Sequence, residues 1–194
     1  MQKLTREDLM SLEKYAEVRS DFRAKVMAHK KNRQVALGAH ATLYFEDRLT
    51  IQYQIQEMLR IEKIFEAVGI NEELEAYNPL IPDGGNLKAT FMVEYGDVEE
   101  RQRMLAKLIG IENKIWVQIA QCDKVYPIAD EDLERNTEEK TSAVHFLRFE
   151  FTPEMISHAK EGAAISMGVD HENYTEQLNP LPENIRTALV ADFD

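Results

Sequence analysis

The chain has 194 residues, with 23 Lys and Arg against 35 Asp and Glu, which gives a formal net charge of -12 at pH 7. The length suits one globular domain, and 44% hydrophobic residues is too many for a disordered chain. The excess of acid argues against nucleic-acid binding, which depends on Lys and Arg. No run approaches the ~20 apolar residues of a membrane-spanning helix, and residues 1–8 lack a signal-peptide core. We expect a cytoplasmic protein with no nucleic-acid or membrane partner.

Cys122 is the only cysteine in the chain. One thiol can form neither an intramolecular disulfide nor an iron–sulfur cluster ligated by one chain. The residues beside it in sequence, Gln121 and Asp123, supply neither a histidine nor a helix N-terminus that would activate it. We therefore interpret Cys122 as a thiol without a chemical role.

Two long amphipathic helices are predicted in the first half of the chain. Thr5 and Asp8 match a capping box, and the helix that they begin is predicted to reach about His29, with apolar residues at steps of three and four. Asp47 is the predicted cap of the second helix. Its apolar stripe continues to Gly69, which is the predicted left-handed residue at its end.

Segments with a period of two occupy most of the remaining chain. They cover residues 34–46 as two strands around a turn, 87–95, 115–119, 125–128, 143–151 and 164–169. Shorter helices are predicted at 71–77, at 97–110, after Pro153 and after Pro182. Because helices and strands do not alternate regularly, we predict an α+β fold in which the helices pack mainly on one face of an antiparallel sheet. A mixed sheet is the alternative.

The sequence predicts a single globular domain over residues 1–194. Residues 130–140 contain six acids and little apolar matter, which predicts a mobile, solvated loop. Residues 173–182 have the composition of a loop, and Pro182 can begin a final helix. Residues 173–194 are therefore predicted to form a loop and helix appended to the domain.

No familiar catalytic motif is present, so chemistry has to come from dispersed polar residues. On the second helix, Gln54 and Glu57 adjoin the apolar stripe and are expected to be half-buried, with Arg60 placed three residues after Glu57 as a partner. One interpretation is a ligand pocket between this helix and the sheet, with Glu57 as a base or metal ligand. The alternative is a structural Glu57–Arg60 network or a helix–helix interface.

Histidines at strand ends supply a second candidate site. His40 lies in the predicted turn between two strands and His171 follows the last strand, positions where a rigid scaffold usually presents functional groups. With Glu46 and Glu57 they make a candidate site for iron, manganese or zinc, metals that imidazole and carboxylate ligands suit. His145 shares a strand face with apolar residues, which favours a hydrogen-bonded core histidine over a ligand.

Several segments carry a resemblance to a known family. They are Leu4–Leu9, Val35–His40, Gln54–Arg60, Glu72–Leu80, Glu139–Val144 and Val169–His171. Through them the chain resembles, over nearly its whole length, the bacterial family catalogued as domain of unknown function 3501. The resemblance implies no established activity. It implies that the protein works together with non-haem iron or iron–sulfur redox proteins, because genes for family members often lie beside genes for rubrerythrin-like and iron–sulfur oxidoreductase proteins.

Two functional hypotheses follow. The first is a cytoplasmic accessory protein, monomeric or homodimeric, that binds a redox partner or a small ligand. The second is a metal-dependent enzyme, redox or hydrolytic, whose iron, manganese or zinc ion is held by His40, Glu46, Glu57 and His171. The convergence of these side chains in one cleft would favour the second hypothesis.

Overall fold

Six helices and eight strands form residues 2–194, the part of the chain that this computed structural model describes. The helices are α1 (Leu12–Lys30), α2 (Arg48–Glu62), α3 (Ala67–Tyr77), α4 (Val98–Lys107), α5 (Pro153–Lys160) and α6 (Glu183–Val190). The strands are β1 (Gln34–Leu37), β2 (Ala41–Phe45), β3 (Asn86–Val93), β4 (Ile115–Ile119), β5 (Ile128–Ala129), β6 (Val144–Glu150), β7 (Ile165–His171) and β8 (Tyr174–Leu178). Short 3-10 turns lie at Arg6–Asp8, Asn78–Leu80 and Ile111–Lys114.

The strands form two sheets in which every pair described is antiparallel. One sheet has the order β1-β2-β3-β6-β5 and the other β4-β7-β8. The predicted α+β class with an antiparallel sheet is therefore confirmed. The division into two sheets was not anticipated, because the period of two identifies strands without saying which of them pair.

The main core lies between the apolar faces of the two sheets. Leu43, Phe91 and Phe149 from the five-stranded sheet belong to the same buried cluster as Val117 and Met167 from the three-stranded sheet, and all are fully buried. Alternation along each strand sends these side chains to one face. The opposite face of the five-stranded sheet is consequently free to carry polar residues such as those of the site described below.

Helices α1 to α3 have a second, smaller core of their own. Its buried members are Leu4, Ile51, Ile55, Leu59, Leu74 and Ile81. Polar residues of α2 attach the N-terminal segment to this layer: Gln56 exchanges hydrogen bonds with the backbone of Met10, and Gln52 donates to the Asp8 carbonyl. The dense polar positions of α2 are thus used largely in binding the chain's own N-terminal segment.

The predicted start of the first helix at Thr5 is wrong. The Thr5 N–H does donate to Asp8 Oδ2 (2.8 Å), but this capping box closes only a single 3-10 turn. The backbone is extended again at Leu9, and Ser11 then caps α1 by accepting the Lys14 N–H (3.2 Å). The prediction used the capping box at Thr5 and overlooked Ser11 as the cap of the helix.

The predicted end of the second helix at Gly69 is also wrong. Helix α2 stops at Glu62, because Lys63 adopts the left-handed conformation (φ 58°), and Gly69 lies inside α3. The apolar pattern continues past the turn between α2 and α3, so the prediction counted Phe65 and Val68 as part of the buried stripe. Both side chains are in fact exposed, by 74% and 68%. These side chains face solvent and do not extend a core-facing stripe.

The prediction of loop and appendage at 173–194 needs correction. Tyr174–Leu178 forms β8, which pairs with β7, and Leu189 and Phe193 belong to the main core. Strand β8 lies at an edge and its three central residues are exposed, so it lacks the alternating pattern by which other strands were recognised. In the same way, the strand predicted at 125–128 is reduced to a single bridge at Val125 and the two-residue β5.

Candidate functional site

A cleft of about 560 Å³ lies between the C-terminal end of α3 and the face of the five-stranded sheet that points away from the main core. Its apolar lining includes Tyr77, Pro79, Leu80 and Phe146. Its charged lining consists of Glu75, Lys88, Glu131, Asp132 and Arg148. Volume and lining are typical of small-molecule sites, which span about 300–1,000 Å³ and combine apolar walls with a few polar groups.

The register between β3 and β6 determines which side chains form the floor of this cleft. Lys88 on β3 is directly opposite Arg148 on β6, and Thr90 is opposite Phe146, so these side chains share one face of the sheet. The wall opposite is the turn after α3, which Asn78 anchors by exchanging hydrogen bonds with the backbone of Leu4 (2.8 and 2.9 Å). Both sides of the cleft are therefore held by regular structure.

Lys88 is the distinctive group in the lining. Its ammonium group donates to the carbonyl oxygens of Pro79 (2.7 Å) and Ile81 (3.0 Å), which leaves one N–H for another acceptor. Burial lowers the pKa of Lys88. Within residues 2–194 no carboxylate forms an ion pair with it. Asp83, Glu131 and Glu150 act on this ammonium group only from beyond ion-pair distance, so its free N–H can still bind an anion.

Arg148, the other cation of the lining, is already neutralised. Its Nε and Nη2 atoms donate to the two oxygens of Glu131 (2.8 and 2.7 Å), and its Nη1 atom donates to Glu150. The Arg148 hydrogen bonds hold the pKa of Glu131 below its usual range. Lys88 is therefore the cation of the cleft that remains available to a ligand.

The ligand residues proposed from sequence lie elsewhere, at the α1–α2 interface. Glu57 accepts hydrogen bonds from the Tyr15 hydroxyl (2.6 Å), from Arg19 (2.8 Å to each oxygen) and from Arg60 (3.3 Å). The Arg19 hydrogen bonds lower the pKa of Glu57 to about 2. Gln54 is half-buried on the same helix. This is the helix–helix network that the sequence left as the alternative, and none of Gln54, Glu57 and Arg60 lines the cleft.

Both histidines proposed as metal ligands interact with neighbouring protein groups. The His40 ring stacks on Tyr95 with centroids 4.0 Å apart, and its Nδ1 atom is 2.9 Å from the Glu94 carbonyl oxygen. His171 is buried; its Nε2 atom is 3.2 Å from the Ile109 carbonyl oxygen, and its Nδ1 atom accepts the Asn173 N–H. These contacts fix both imidazole rings in place.

The carboxylates of the proposed metal set are engaged as well. Glu46 accepts hydrogen bonds from the hydroxyl groups of Thr50 (2.6 Å) and Thr90 (2.9 Å), while Glu57 belongs to the helical network. In the described part of the chain, no three His, Cys, Asp or Glu side chains are grouped so as to hold a metal ion. The structure does not bring His40, Glu46, Glu57 and His171 together, so they do not fit an iron, manganese or zinc ion.

Sequence reasoning missed two features. Lys88 occupies a polar position in the alternating pattern of β3, which is ordinary for a half-buried strand, and its importance depends on the α3 turn that covers it. Cys122 was expected to lack a nearby histidine, and this was wrong: His158 on α5 places Nδ1 3.5 Å from the Cys122 Sγ atom. The pair is separated by 36 residues in sequence, so no local pattern could reveal it.

Fold and cleft together define an α+β protein with two antiparallel sheets, a helical layer and a ligand-sized pocket. None of the helices within residues 2–194 combines the length and apolar character needed to cross a membrane. The family model described as "Protein of unknown function (DUF3501)" matches residues 3–193, and the chain belongs to that family.

The chain is similar over its whole length to a solved structure. It is the crystal structure of a novel protein of unknown function from Burkholderia pseudomallei K96243, with 51% sequence identity, a TM-score of 0.94 and 100% of each chain covered. No curated protein matches the chain significantly. The family and its fold are thereby established.

Proposed function

We propose that this protein is a cytoplasmic accessory protein that binds a small carboxylate with an apolar body in the cleft beside Lys88. The observation that carries the proposal is the Lys88 ammonium group, which is partly desolvated, keeps one N–H free, forms no ion pair within the described residues and lies beside the apolar wall of the cleft. A ligand carboxylate would accept the remaining N–H and form a direct ion pair with Lys88. Charge-assisted hydrogen bonds of this kind are stronger than neutral ones.

The remaining lining restricts which carboxylate fits. Tyr77, Leu80 and Phe146 offer apolar surface for the body of the ligand. Glu75 adds negative charge to the lining, which disfavours a second carboxylate on the ligand through like-charge repulsion. The site is therefore suited to a monocarboxylate with an aliphatic or aromatic body.

Isothermal titration calorimetry with octanoate and 4-phenylbutyrate, each compared with its matched alcohol, tests this proposal. We expect the acids to bind more tightly than the alcohols, and Lys88→Met to weaken acid binding about 10- to 100-fold, since a hydrogen bond to a charged group contributes about 1.5–3 kcal/mol. Lys160→Met, at an exposed lysine on α5, is the matched control and should bind like the wild type.

A second variant separates loss of binding from loss of folding. Ala76 is an exposed residue of the lining, so Ala76→Phe fills the cleft without removing a contact. It should abolish binding while leaving thermal unfolding unchanged. The proposal fails if acid and alcohol bind equally, or if neither Lys88→Met nor Ala76→Phe affects the affinity.

The accessory hypothesis also has a candidate partner surface, at the corner between α2 and α3. Ile61, Phe65 and Val68 are 58%, 74% and 68% exposed there, which is unusual for large apolar side chains. The pKa of Glu73 is raised by burial and by the nearby charges of Glu62 and Glu72, which places acids near the corner. A partner with basic residues around an apolar recess complements this surface, whereas two acidic copies of the corner would repel each other.

The family resemblance suggests the partner's class, a non-haem iron or iron–sulfur redox protein. Titration of this protein with such purified proteins from the same organism should give binding that weakens with salt and falls at least tenfold in Phe65→Ser, because exposed apolar anchors dominate interface energies. Val98→Ser removes another exposed apolar side chain, 54% exposed on α4, and should have no effect. Equal losses in the two variants, or self-association without a partner, would contradict this assignment.

A further inference from the structure

A buried carboxylate without a cationic partner lies in the 3-10 turn Ile111–Lys114. Glu112 is only 2% exposed. One of its oxygens, Oε1, accepts amide N–H groups from Asn113 (2.6 Å) and Asn136 (2.7 Å). The other oxygen, Oε2, is inaccessible to solvent and has no hydrogen-bond partner. A negative charge is thus buried against neutral amides alone, which is costly unless a positive charge compensates it.

The amide of Asn136 has the same deficiency. Its Oδ1 atom is also inaccessible and unpartnered. The two unpartnered oxygens belong to the two groups that the Asn136–Glu112 hydrogen bond joins, so they are parts of one buried cluster. Both are acceptors, and an acceptor cannot satisfy another acceptor. In the described part of the chain, no Lys, Arg or His forms an ion pair with Glu112.

We propose that Glu112 Oε2 and Asn136 Oδ1 bind a monovalent metal cation, Na⁺ or K⁺. Carboxylate and amide oxygens are the ligands that hard cations prefer. One carboxylate balances one monovalent charge, whereas a divalent ion would leave a surplus positive charge in a buried place. The chain's net charge of -12 also favours cation uptake.

The cation would fasten the segment 130–140 to the body of the protein. At one end of that segment, Asp130 Oδ2 lies 2.6 Å from Nδ1 of the buried His145, which is a hydrogen-bonded core histidine as the sequence favoured. Next to Asn136, the Arg135 guanidinium stacks over Phe146 in the cleft, 4.7 Å from the ring centroid. Cation binding at Asn136 therefore orders one wall of the cleft, and it does not depend on any ligand being bound there.

Thermal unfolding at constant ionic strength in sodium, potassium or choline chloride tests the proposal. Choline chloride screens charges as the metal chlorides do, but the choline cation is too large to bind between Glu112 and Asn136. We expect the wild type to melt on the order of 2–4 °C higher in the better-fitting metal chloride than in choline chloride. Glu112→Gln should melt at one temperature in all three salts. In choline chloride it should be at least as stable as the wild type, because it buries no charge.

Glu134→Gln changes an exposed acid of the same segment and should keep the wild-type dependence on the cation. Where potassium is the better-fitting ion, crystals of the wild type grown in rubidium chloride should show an anomalous peak between Glu112 and Asn136. Equal melting in the three salts, or a cation dependence that survives in Glu112→Gln, would overturn the proposal.

Discussion

Replacing Arg33 with methionine is expected to lower the free energy of unfolding by about 3–5 kcal/mol, the cost of removing one partner from a buried ion pair. Arg33 is 2% exposed and forms an ion pair with Asp192. Its guanidinium group also donates to the carbonyl oxygens of Phe45 (3.1 Å), Glu46 (3.0 Å) and Ala188 (3.0 Å). It thereby joins the end of β2 to the C-terminal helix.

The expected loss is large because four acceptors lose their donor together. Methionine retains much of the side-chain volume, so a packing defect contributes little. It leaves the buried Asp192 carboxylate without its counter-ion and removes the nearest guanidinium from Asp47 (3.5 Å). Arg33→Lys keeps the charge but not the planar fork of donors, so its stability should lie between those of the wild type and Arg33→Met.

Urea denaturation at pH 7 measures these differences. Arg23→Met, at an exposed position of α1, is the control and should change stability by less than about 0.5 kcal/mol. The double variant Arg33→Met/Asp192→Asn should lose less than the sum of its single losses, because it no longer buries an unpaired carboxylate. A loss below about 1 kcal/mol in Arg33→Met would show that solvent reaches these groups and replaces the guanidinium.

The burial of Arg33 is a feature that could not be predicted from the sequence. Arg33 is the last of the basic residues at 19, 23, 25, 30, 31 and 33, a run whose composition predicts a solvated helix face and turn. Its partners Ala188 and Asp192 are 155 and 159 residues away in sequence. No periodicity reports contacts of that range, so a buried charge and an exposed one look alike until the chain is folded.

The sequence predicted well those features that local chemistry decides. Asp47 caps α2 by accepting the Thr50 N–H (2.9 Å), and Asp97 caps α4 by accepting the Glu100 N–H (2.8 Å). The alternation over 87–95 corresponds to β3, whose alternate residues enter the main core. Helix starts and strand faces depend on residues only a few positions apart in the sequence. For that reason the α+β class could be predicted.

The candidate site was harder to predict because its groups come from separate elements. Glu57 was correctly expected to be half-buried, but Arg60 was the nearest cation that the sequence offered, whereas Arg19 on α1 makes the closer contacts. Lys88 required knowledge of the turn that covers the outer face of the sheet. Both failures have one cause. Spacing along the sequence identifies residues that are neighbours on the same helix or strand, but not residues that meet across the interface between two elements.

A different test of the Arg33 cluster concerns pH. Burial raises the pKa of Asp192 to about 6, even though Arg33 acts in the opposite direction. Asp47, which is beside the same guanidinium, has a lowered pKa, because Arg33, the Thr50 backbone N–H and His29 together outweigh its burial. The charged and titratable groups around Asp192 are thus Arg33, Asp47 and His29. Two carboxylates share one guanidinium, and Asp192 is the one that holds its proton more readily.

Raising the pH from 4 to 7 is therefore expected to weaken the wild type relative to Asp192→Asn by about 2 kcal/mol, since each unit of pKa difference is worth about 1.4 kcal/mol. A carboxyl group whose pKa is raised on folding stabilises the fold while it is protonated, and that contribution is lost as the pH rises through about 6. Asn keeps a neutral side chain at every pH, so only the wild type should lose stability in this way as the pH rises.

The control is Asp123→Asn, at an exposed carboxylate. In urea titrations across this pH range, its stability should change in parallel with that of the wild type. Parallel curves for Asp192→Asn would instead mean that Arg33 keeps Asp192 ionised throughout, and that the ion pair outweighs the cost of burying it.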